Sequence, residues 1–262
     1  MTYRYETHLH TCEASACGIA HGRDYIPFYR DLGYHGLFVT DHFFGGNTAV
    51  DQTLPWRDQV DWFCEGYEQA KAEGDKRGVQ VLFGWEQAFN GDEYLVYGLD
   101  RGWLYEHPEV KRWSRAEQYR EVHRFGGCVV QAHPFRNRSY IRRITLNTAC
   151  VDGAEVYNAA NPMETNVQAY RYAKNLGLTM LAGSDIHDLP WAEYSGIELS
   201  TPLADEADFA ARVRNRAEIG LIAPVDMLRS GALLPVRLPV AVLGPDAEPS
   251  DRLLETLLRQ PE

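Results

Sequence analysis

The sequence contains no apolar run long enough to cross a bilayer. Its opening stretch, MTYRYETHLH, lacks the apolar core of a secretory signal. The expected compartment is the cytoplasm, with no membrane partner. Cysteine is scarce: five residues, Cys12, Cys17, Cys64, Cys128 and Cys150, scattered and odd in number. A secreted disulfide framework is denser and even, so the thiols are expected to be reduced. Cys64, Cys128 and Cys150 sit in apolar contexts that suit core thiols. Positive charge is outweighed, with 26 Lys and Arg against 37 Asp and Glu, a net charge of -11. Chains that grip long nucleic acid carry a basic patch or stripe. The single local cluster here, RNRSYIRR (136–143), suits a phosphate better than a polymer, so no stable nucleic-acid partner is expected. Most of the excess carboxylate reads as solvated surface, and some could belong to a site for several divalent cations. No glycine fingerprint for a dinucleotide follows the first apolar stretch. Internal repeats and low-complexity segments are also missing.

What is present is ordinary in bulk and patterned in detail. The 262 residues are close to the ~250 typical of one β/α barrel. The composition, 45% hydrophobic and 24% charged, is that of a globular enzyme. Short apolar runs alternate with amphipathic stretches. Strands are expected at YETHLH (5–10), GLFVTDH (36–42), VQVLFGWE (79–86), YLVYGL (94–99), CVVQAHP (128–134), GAEVYN (153–158), LTMLAGSD (178–185) and GIELST (196–201). Helices are expected over 23–33, 57–78, 114–127, 164–177 and 205–217. Ser114 and Glu117 form a capping-box pattern, and Gly33 suits a C-cap. Strand–helix alternation implies βαβ units and a parallel sheet. Roughly seven units favour a barrel, an α/β fold, over residues 1–222. Residues 223–262, richer in proline and closing on SDRLLETLLRQ, read as an extension packed on it.

The strands end in polar, metal-capable side chains: THLH, TDH, GWE, QAHP, EVYN and GSDIH. In a β/α barrel all such ends open onto one face, which carries the active site. Residues i and i+2 of a strand point to the same side, so His8 and His10 can reach one ion. Five of the nine histidines, His8, His10, His42, His133 and His187, fall at these ends, beside Asp41, Glu86 and Asp185. Imidazole with carboxylate suits zinc, manganese or iron better than calcium or magnesium alone. About seven ligands exceed what one ion needs, and a carboxylate such as Glu86 can bridge two.

In that order, His8-Leu9-His10, Thr40-Asp41-His42, Glu86, Ala132-His133-Pro134 and Gly183-Ser184-Asp185-Ile186-His187 resemble the motif series of the polymerase and histidinol phosphatase (PHP) family. The resemblance runs from about residue 3 to residue 201. It implies a distorted (β/α)7 TIM-like barrel, two or three divalent ions (Zn, Mn or Fe) and hydrolysis of phosphate esters. By that resemblance His8, His10, Glu86 and Asp185 hold a first ion. Glu86 bridges to a second, bound also by His133, and His42 and His187 hold a third. Asp41, as a catalytic candidate, orients a ligand or accepts a proton. Two places depart from the pattern. Where many members carry an aspartate or histidine after the HxHT stretch, this chain reads Ser15-Ala16-Cys17-Gly18. Cys17 is either a thiolate ligand or a small buried thiol beside a weakened third site. Where many members carry a histidine in the strand after Glu86, this chain has NGDEYLVYG. Asp92, Glu93, Tyr94 or water would substitute there.

Arg136, two residues past the AHP motif, is expected to bind phosphate and neutralise developing charge, or to pair with a carboxylate. Asn158 faces the substrate or caps the following helix. Trp85 and Tyr157 stack on a ring or pack in the core. The expected activity is hydrolysis of a small phosphomonoester by a metal-activated water. Two alternatives are a 3′–5′ exonuclease on short single strands and a non-catalytic metal-binding regulatory module.

Overall fold

The computed structural model describes residues 2–190, 193–224, 227 and 238–244. Six strands run in one direction: β1 (Tyr3–Glu6), β2 (Gly36–Val39), β3 (Gln80–Phe89), β5 (Cys128–Ala132), β7 (Gly153–Asn158) and β8 (Thr179–Gly183). Between β3 and β5 lies β4 (Asp92–Tyr97), antiparallel to both. On the far side of β1, β9 (Gly196–Leu199) pairs antiparallel, and β10 (Gly220–Ile222) pairs antiparallel to β9. The order is β10-β9-β1-β2-β3-β4-β5-β7-β8.

Past the ends of β1 and β8 the chain closes this sheet. Leu9 bridges Ile186 in parallel, the His10 N–H donates to the Ile186 carbonyl at 2.9 Å, and the Asp185 N–H donates to the His8 carbonyl at 2.9 Å. The result is a nearly closed, distorted TIM-like barrel, as expected. Its seam is stitched at the mouth by the segments that carry the histidines.

The strands β2, β5 and β7 are buried along their whole length, which is why they read as continuous apolar runs. The two-residue period sorts β3. Leu82 joins one apolar cluster with Phe38, Leu95 and Val130, while Phe83 and Trp85 face Phe63 in another. Glu86 therefore lies on the Leu82 side. Phe63 belongs to α2 (Trp56–Phe63), which breaks at Cys64 before α3 (Glu65–Arg77), where one continuous helix is expected. The capping box of α5 (Arg115–Arg124) is present, with Ser114 and Glu117 each bonding the other's backbone N–H. The remaining helices are α1 (Tyr25–Asp31), α4 (Arg101–Glu106), α6 (Met163–Leu176) and α7 (Glu206–Arg214). A small parallel pair, β6 (Ile144–Asn147) and β11 (Val240–Leu243), has no counterpart among the expected strands. The closing stretch SDRLLETLLRQ (250–260), which reads as a short amphipathic helix, lies outside the described residues.

One departure from strict strand–helix alternation matters for the site. Asn90 and Gly91, with φ of 51° and 107°, make a two-residue hairpin turn that sends β4 back antiparallel. Its first residues, Asp92 and Glu93, thus sit at the rim where the parallel strands end.

Candidate metal centre

The ends of β1, β3, β5 and β8, with the segment after β2, bring His8, His10, His42, Glu86, His133 and Asp185 together as buried side chains. His187 is half-buried beside them. Their ligand atoms form overlapping groups: His8 with His10 and Asp185; His8 with Glu86 and His133; His10 with His42 and His187; His42 with Glu86 and Glu93. Glu86 is central, with Oε1 3.0 Å from His133 Nε2 and 3.4 Å from His8 Nε2, and Oε2 2.7 Å from His42 Nδ1.

The hydrogen-bond pattern behind these groups sets the tautomers. His8 Nδ1 donates to Glu155 Oε1 at 2.9 Å. His187 Nδ1 donates to the Asp185 carbonyl at 2.8 Å. Ser15 gives its hydroxyl hydrogen to Asp41 at 2.6 Å, so His10 Nδ1, 3.3 Å away, must be a donor to the Ser15 oxygen. The Nε2 lone pairs of His8 and His10 then face each other at 3.0 Å. Asp185 Oδ1 lies 3.5 and 3.2 Å from the same two nitrogens. Lone pairs converging in a buried place repel unless a cation or proton lies between them. Hydrogen-bond accounting gives the same answer elsewhere. His42 Nδ1, Glu86 Oε2 and Asp185 Oδ1 are buried without a hydrogen-bond partner. His133 Nε2 meets both the Glu86 carboxylate and an Arg136 N–H at 3.1 Å, and one nitrogen cannot donate to the first while accepting from the second. These residues fit divalent ions.

Charge follows from this crowding. Burial works against ionising Glu86 and Asp185, but the nearby histidines outweigh it, and Arg136 adds to the pull on Asp185; both carboxyls stay well below their ordinary range. Burial also opposes a charged His8, and Glu155, Asp185 and Glu86 together override it. His10 goes the other way, pushed down by burial and by its neighbours His42 and His187. The backbone is held in the left-handed region at His133 (φ 27°) and Asp185 (φ 54°), conformations a tight site must impose on such residues. Gly183 is needed for clearance, since a Cβ there would stand 2.6 Å from His8 Cβ and 2.7 Å from Glu155 Oε1.

The two departures from the motif series now have locations. Cys17 is half-buried beside His42 and His187. Burial opposes its ionisation, yet the two neighbouring imidazoles bring the thiol down to about 6. In the stretch after Glu86, Glu93 enters the group, 3.6 Å from His133 Nε2. Asp92 is instead spent on Arg115 at 2.6 Å and on the Tyr94 hydroxyl at 2.6 Å.

Arg136 lies over the cluster, its side chain 16% exposed, with Nη1 3.4 Å from Glu93 and 3.7 Å from Asp185. Its Nε has no partner. Asp41 lies behind the cluster. Its Oδ1 accepts from the Thr11 N–H and the Ser15 hydroxyl, each at 2.6 Å, and its Oδ2 accepts from the Thr11 hydroxyl at 2.8 Å. Asn158 is fully buried, donating to Glu155 at 2.9 Å and to Asp185 at 3.3 Å, and accepting from the Ala160 N–H at 3.1 Å. Trp85 packs in the core, and Tyr157 lines an open cleft of 690 Å³.

Sequence reasoning passed over Glu155, Glu6 and Ser15. Glu155 fixes the His8 ring and accepts the His133 N–H at 3.0 Å. Its signal was present: an acidic residue in the middle of an otherwise apolar buried strand, GAEVYN, requires a partner.

No protein-family model matches the chain, and no curated protein matches its sequence. Solved structures match its shape. A two-domain protein from Bacteroides vulgatus containing a predicted PHP-like metal-dependent phosphoesterase is 17% identical, with a TM-score of 0.59 over 87% of this chain and 68% of that one. A Bifidobacterium adolescentis protein, described as a metal-dependent phosphoesterase by prediction, is 17% identical, with a TM-score of 0.51 over 82% of this chain and 96% of that one. An amidohydrolase from Chromobacterium violaceum, with sulfate bound and no metal, is 15% identical, with a TM-score of 0.50 over 85% of this chain and 99% of that one. At such identities the likeness is one of architecture, and the architecture of this chain is that of the PHP-like metal-dependent phosphoesterases.

Proposed function

We propose that the chain is a metal-dependent hydrolase of phosphate esters, acting on a small phosphomonoester with two or three zinc, manganese or iron ions. The observation that carries this reading is the buried convergence of imidazole and carboxylate atoms that no hydrogen-bond scheme satisfies, under an arginine with a free N–H. Divalent ions held there supply a water that ionises near neutral pH and positive charge for the phosphoryl oxygens. His8, His10, Glu86 and Asp185 would hold one ion. Glu86, His133 and Glu93 would hold a second. His42, His187 and Cys17 would hold a third.

The protein's own groups do the rest. Arg136, 16% exposed over the cluster, would offer its guanidinium to a phosphoryl oxygen and remain charged throughout. Beside it, a cleft of 480 Å³ is lined by Tyr140, Arg142 and Arg143, a cationic rim on an otherwise acidic protein. That rim favours an anionic substrate and fits the small basic footprint better than a long polymer does. Asp41 acts as a positioning residue: both its oxygens are occupied, and through Ser15 it orients His10. Asn158 positions Glu155 and Asp185. The leaving alkoxide takes its proton from water.

The test is phosphate release by purified protein with manganese or zinc, on a panel of phosphomonoesters beside a short single-stranded oligonucleotide. Chelator-treated protein and Glu86→Ala serve as controls. Chelator-sensitive release from monoesters supports the reading. Nucleotide release from the oligonucleotide alone, or silence throughout in metal-loaded protein, overturns it.

A further inference from the structure

A second group of ligand atoms lies outside the central cluster, in the loop that follows it. Cys12 Sγ is 3.1 Å from His21 Nδ1, and the same nitrogen is 2.7 Å from Glu13 Oε1. All three ligand atoms lie within 4.8 Å of one another.

The three ligand atoms converge on one point: His21 Nδ1 donates to Glu13 Oε1, and the Cys12 sulfur lies against the same nitrogen. Glu13 adds an independent sign. Its side chain is only 5% exposed, yet among the described residues its one ion-pair partner is His21. A nearly buried carboxylate without a fixed cation is costly. The site is also held in place before any ligand arrives. The Cys12 N–H donates to the Ala20 carbonyl at 2.9 Å, Glu13 Oε2 accepts the Gly22 N–H at 3.2 Å, and the Trp62 indole N–H donates to the Glu13 carbonyl at 2.9 Å.

We infer that Cys12, Glu13 and His21 form a separate zinc site that clasps the two arms of the 11–21 loop. Thiolate, imidazole and carboxylate are the donors zinc takes, and the 47% exposure of the His21 ring leaves a fourth position for water. Binding replaces the thiol hydrogen with the ion and releases that proton to solvent, so affinity rises with pH. The clasped loop carries Ser15 and Cys17, so this ion would steady two groups of the central cluster without joining it. The inference does not depend on what the central cluster hydrolyses.

The test uses the full chain, dialysed to equilibrium against free zinc, with bound zinc counted by mass spectrometry. Cys12→Ser and His21→Gln should each bind one zinc fewer than the wild type. The double variant Glu86→Ala with Cys12→Ser should bind one fewer than Glu86→Ala. With cobalt in place of zinc, a Glu86→Ala, Cys17→Ser background should keep a sulfur-to-cobalt charge-transfer band, and adding Cys12→Ser should abolish it. Equal zinc counts and affinities in the wild type, Cys12→Ser and His21→Gln overturn the site, as does a cobalt band that vanishes with Cys17→Ser alone. His21 is largely exposed, so His21→Gln decides the matter if Cys12→Ser fails to fold.

Discussion

Glu6 and Glu86 are both fully buried on barrel strands, and they differ in what meets their oxygens. Glu6 Oε1 accepts the N–H groups of His8 at 2.7 Å and Ser184 at 2.9 Å. Its Oε2 accepts the Tyr29 hydroxyl at 2.7 Å and the Ser184 hydroxyl. Every lone-pair direction is used by a donor of fixed position. Glu86 meets imidazoles instead, and its Oε2 approaches His42 to 2.7 Å without forming a hydrogen bond. Burial raises the Glu6 carboxyl to about 7, while the surrounding histidines draw Glu86 well below its usual range. A buried carboxylate is therefore not by itself a sign of chemistry. Completed pairing marks Glu6 as a brace, tying β1 to α1 and to the end of β8. Incomplete pairing marks Glu86 as a place for an ion.

The widest gap between the two should appear when each is removed. Glu86→Ala is expected to reduce metal-dependent turnover to background and to lower the number of bound ions. Chelation should lower the melting temperature of the wild type more than that of Glu86→Ala, because an ion that binds only the folded state stabilises only a protein that can hold it. A metal-loaded, active Glu86→Ala protein would erase the distinction. Glu6→Gln should act on stability and carry a pH signature. The folded state keeps the Glu6 proton up to about 7 against an ordinary value of 4.5. The group's contribution is thus complete below pH 4.5 and is lost as pH rises through 7. Urea unfolding of chelator-treated protein should show the stability advantage of wild type over Glu6→Gln shrinking by roughly 3 kcal/mol across that window. A constant difference would remove Glu6 from the titrating groups.

The same contrast explains what was legible in the sequence. Donors at strand ends are readable because strand period and barrel topology carry them to one rim, and HxH, TDH, AHP and GSDIH stand out against apolar runs. Glu93 was one of four options after Glu86, with Asp92, Tyr94 and water. The Asn90-Gly91 hairpin puts both Asp92 and Glu93 at the rim, and only the pairing of Asp92 with Arg115 and Tyr94 leaves Glu93 beside His133. Asp41 and Asn158 look like site residues from position alone. Their hydrogen-bond partners at Thr11, Ser15 and Asp185 place them one layer behind, and no local pattern encodes pairings across 26 to 30 positions. Braces such as Glu6 are invisible for the same reason.

Between brace and ligand stands Glu155, which grips His8 from behind. Glu155→Ala should weaken metal affinity by about 10–100-fold, the usual consequence of losing the partner that fixes a ligating imidazole. Glu155→Gln, which keeps an acceptor for His8 Nδ1, should recover part of it. Metal titration at fixed pH separates the two, and equal losses in both would mean that charge rather than orientation is what Glu155 provides.

The smallest effect is expected at Ser15, where the two kinds of carboxylate meet. Its hydroxyl donates to the closed pair around Asp41 and accepts from His10 Nδ1 at 3.3 Å and from the His42 N–H at 3.0 Å, so one oxygen links a brace to two ligand-bearing residues. Ser15→Ala removes both acceptor contacts and leaves Asp41 its two bonds from Thr11. The bond to His10 is long, which places the cost near the low end for a buried donor left unpaired, about 1 kcal/mol. That loss should divide unevenly: a small drop in the stability of metal-free protein, and a drop in zinc affinity of less than about tenfold from the freed His10 ring. Asp41→Asn is the matched comparison, since it disturbs the brace while keeping the Ser15 oxygen. If Ser15→Ala changes stability but not zinc affinity, Ser15 belongs to the brace alone and His10 is oriented by its own segment. If it changes affinity more than Asp41→Asn does, the hydroxyl is the link through which the closed layer aims the open one.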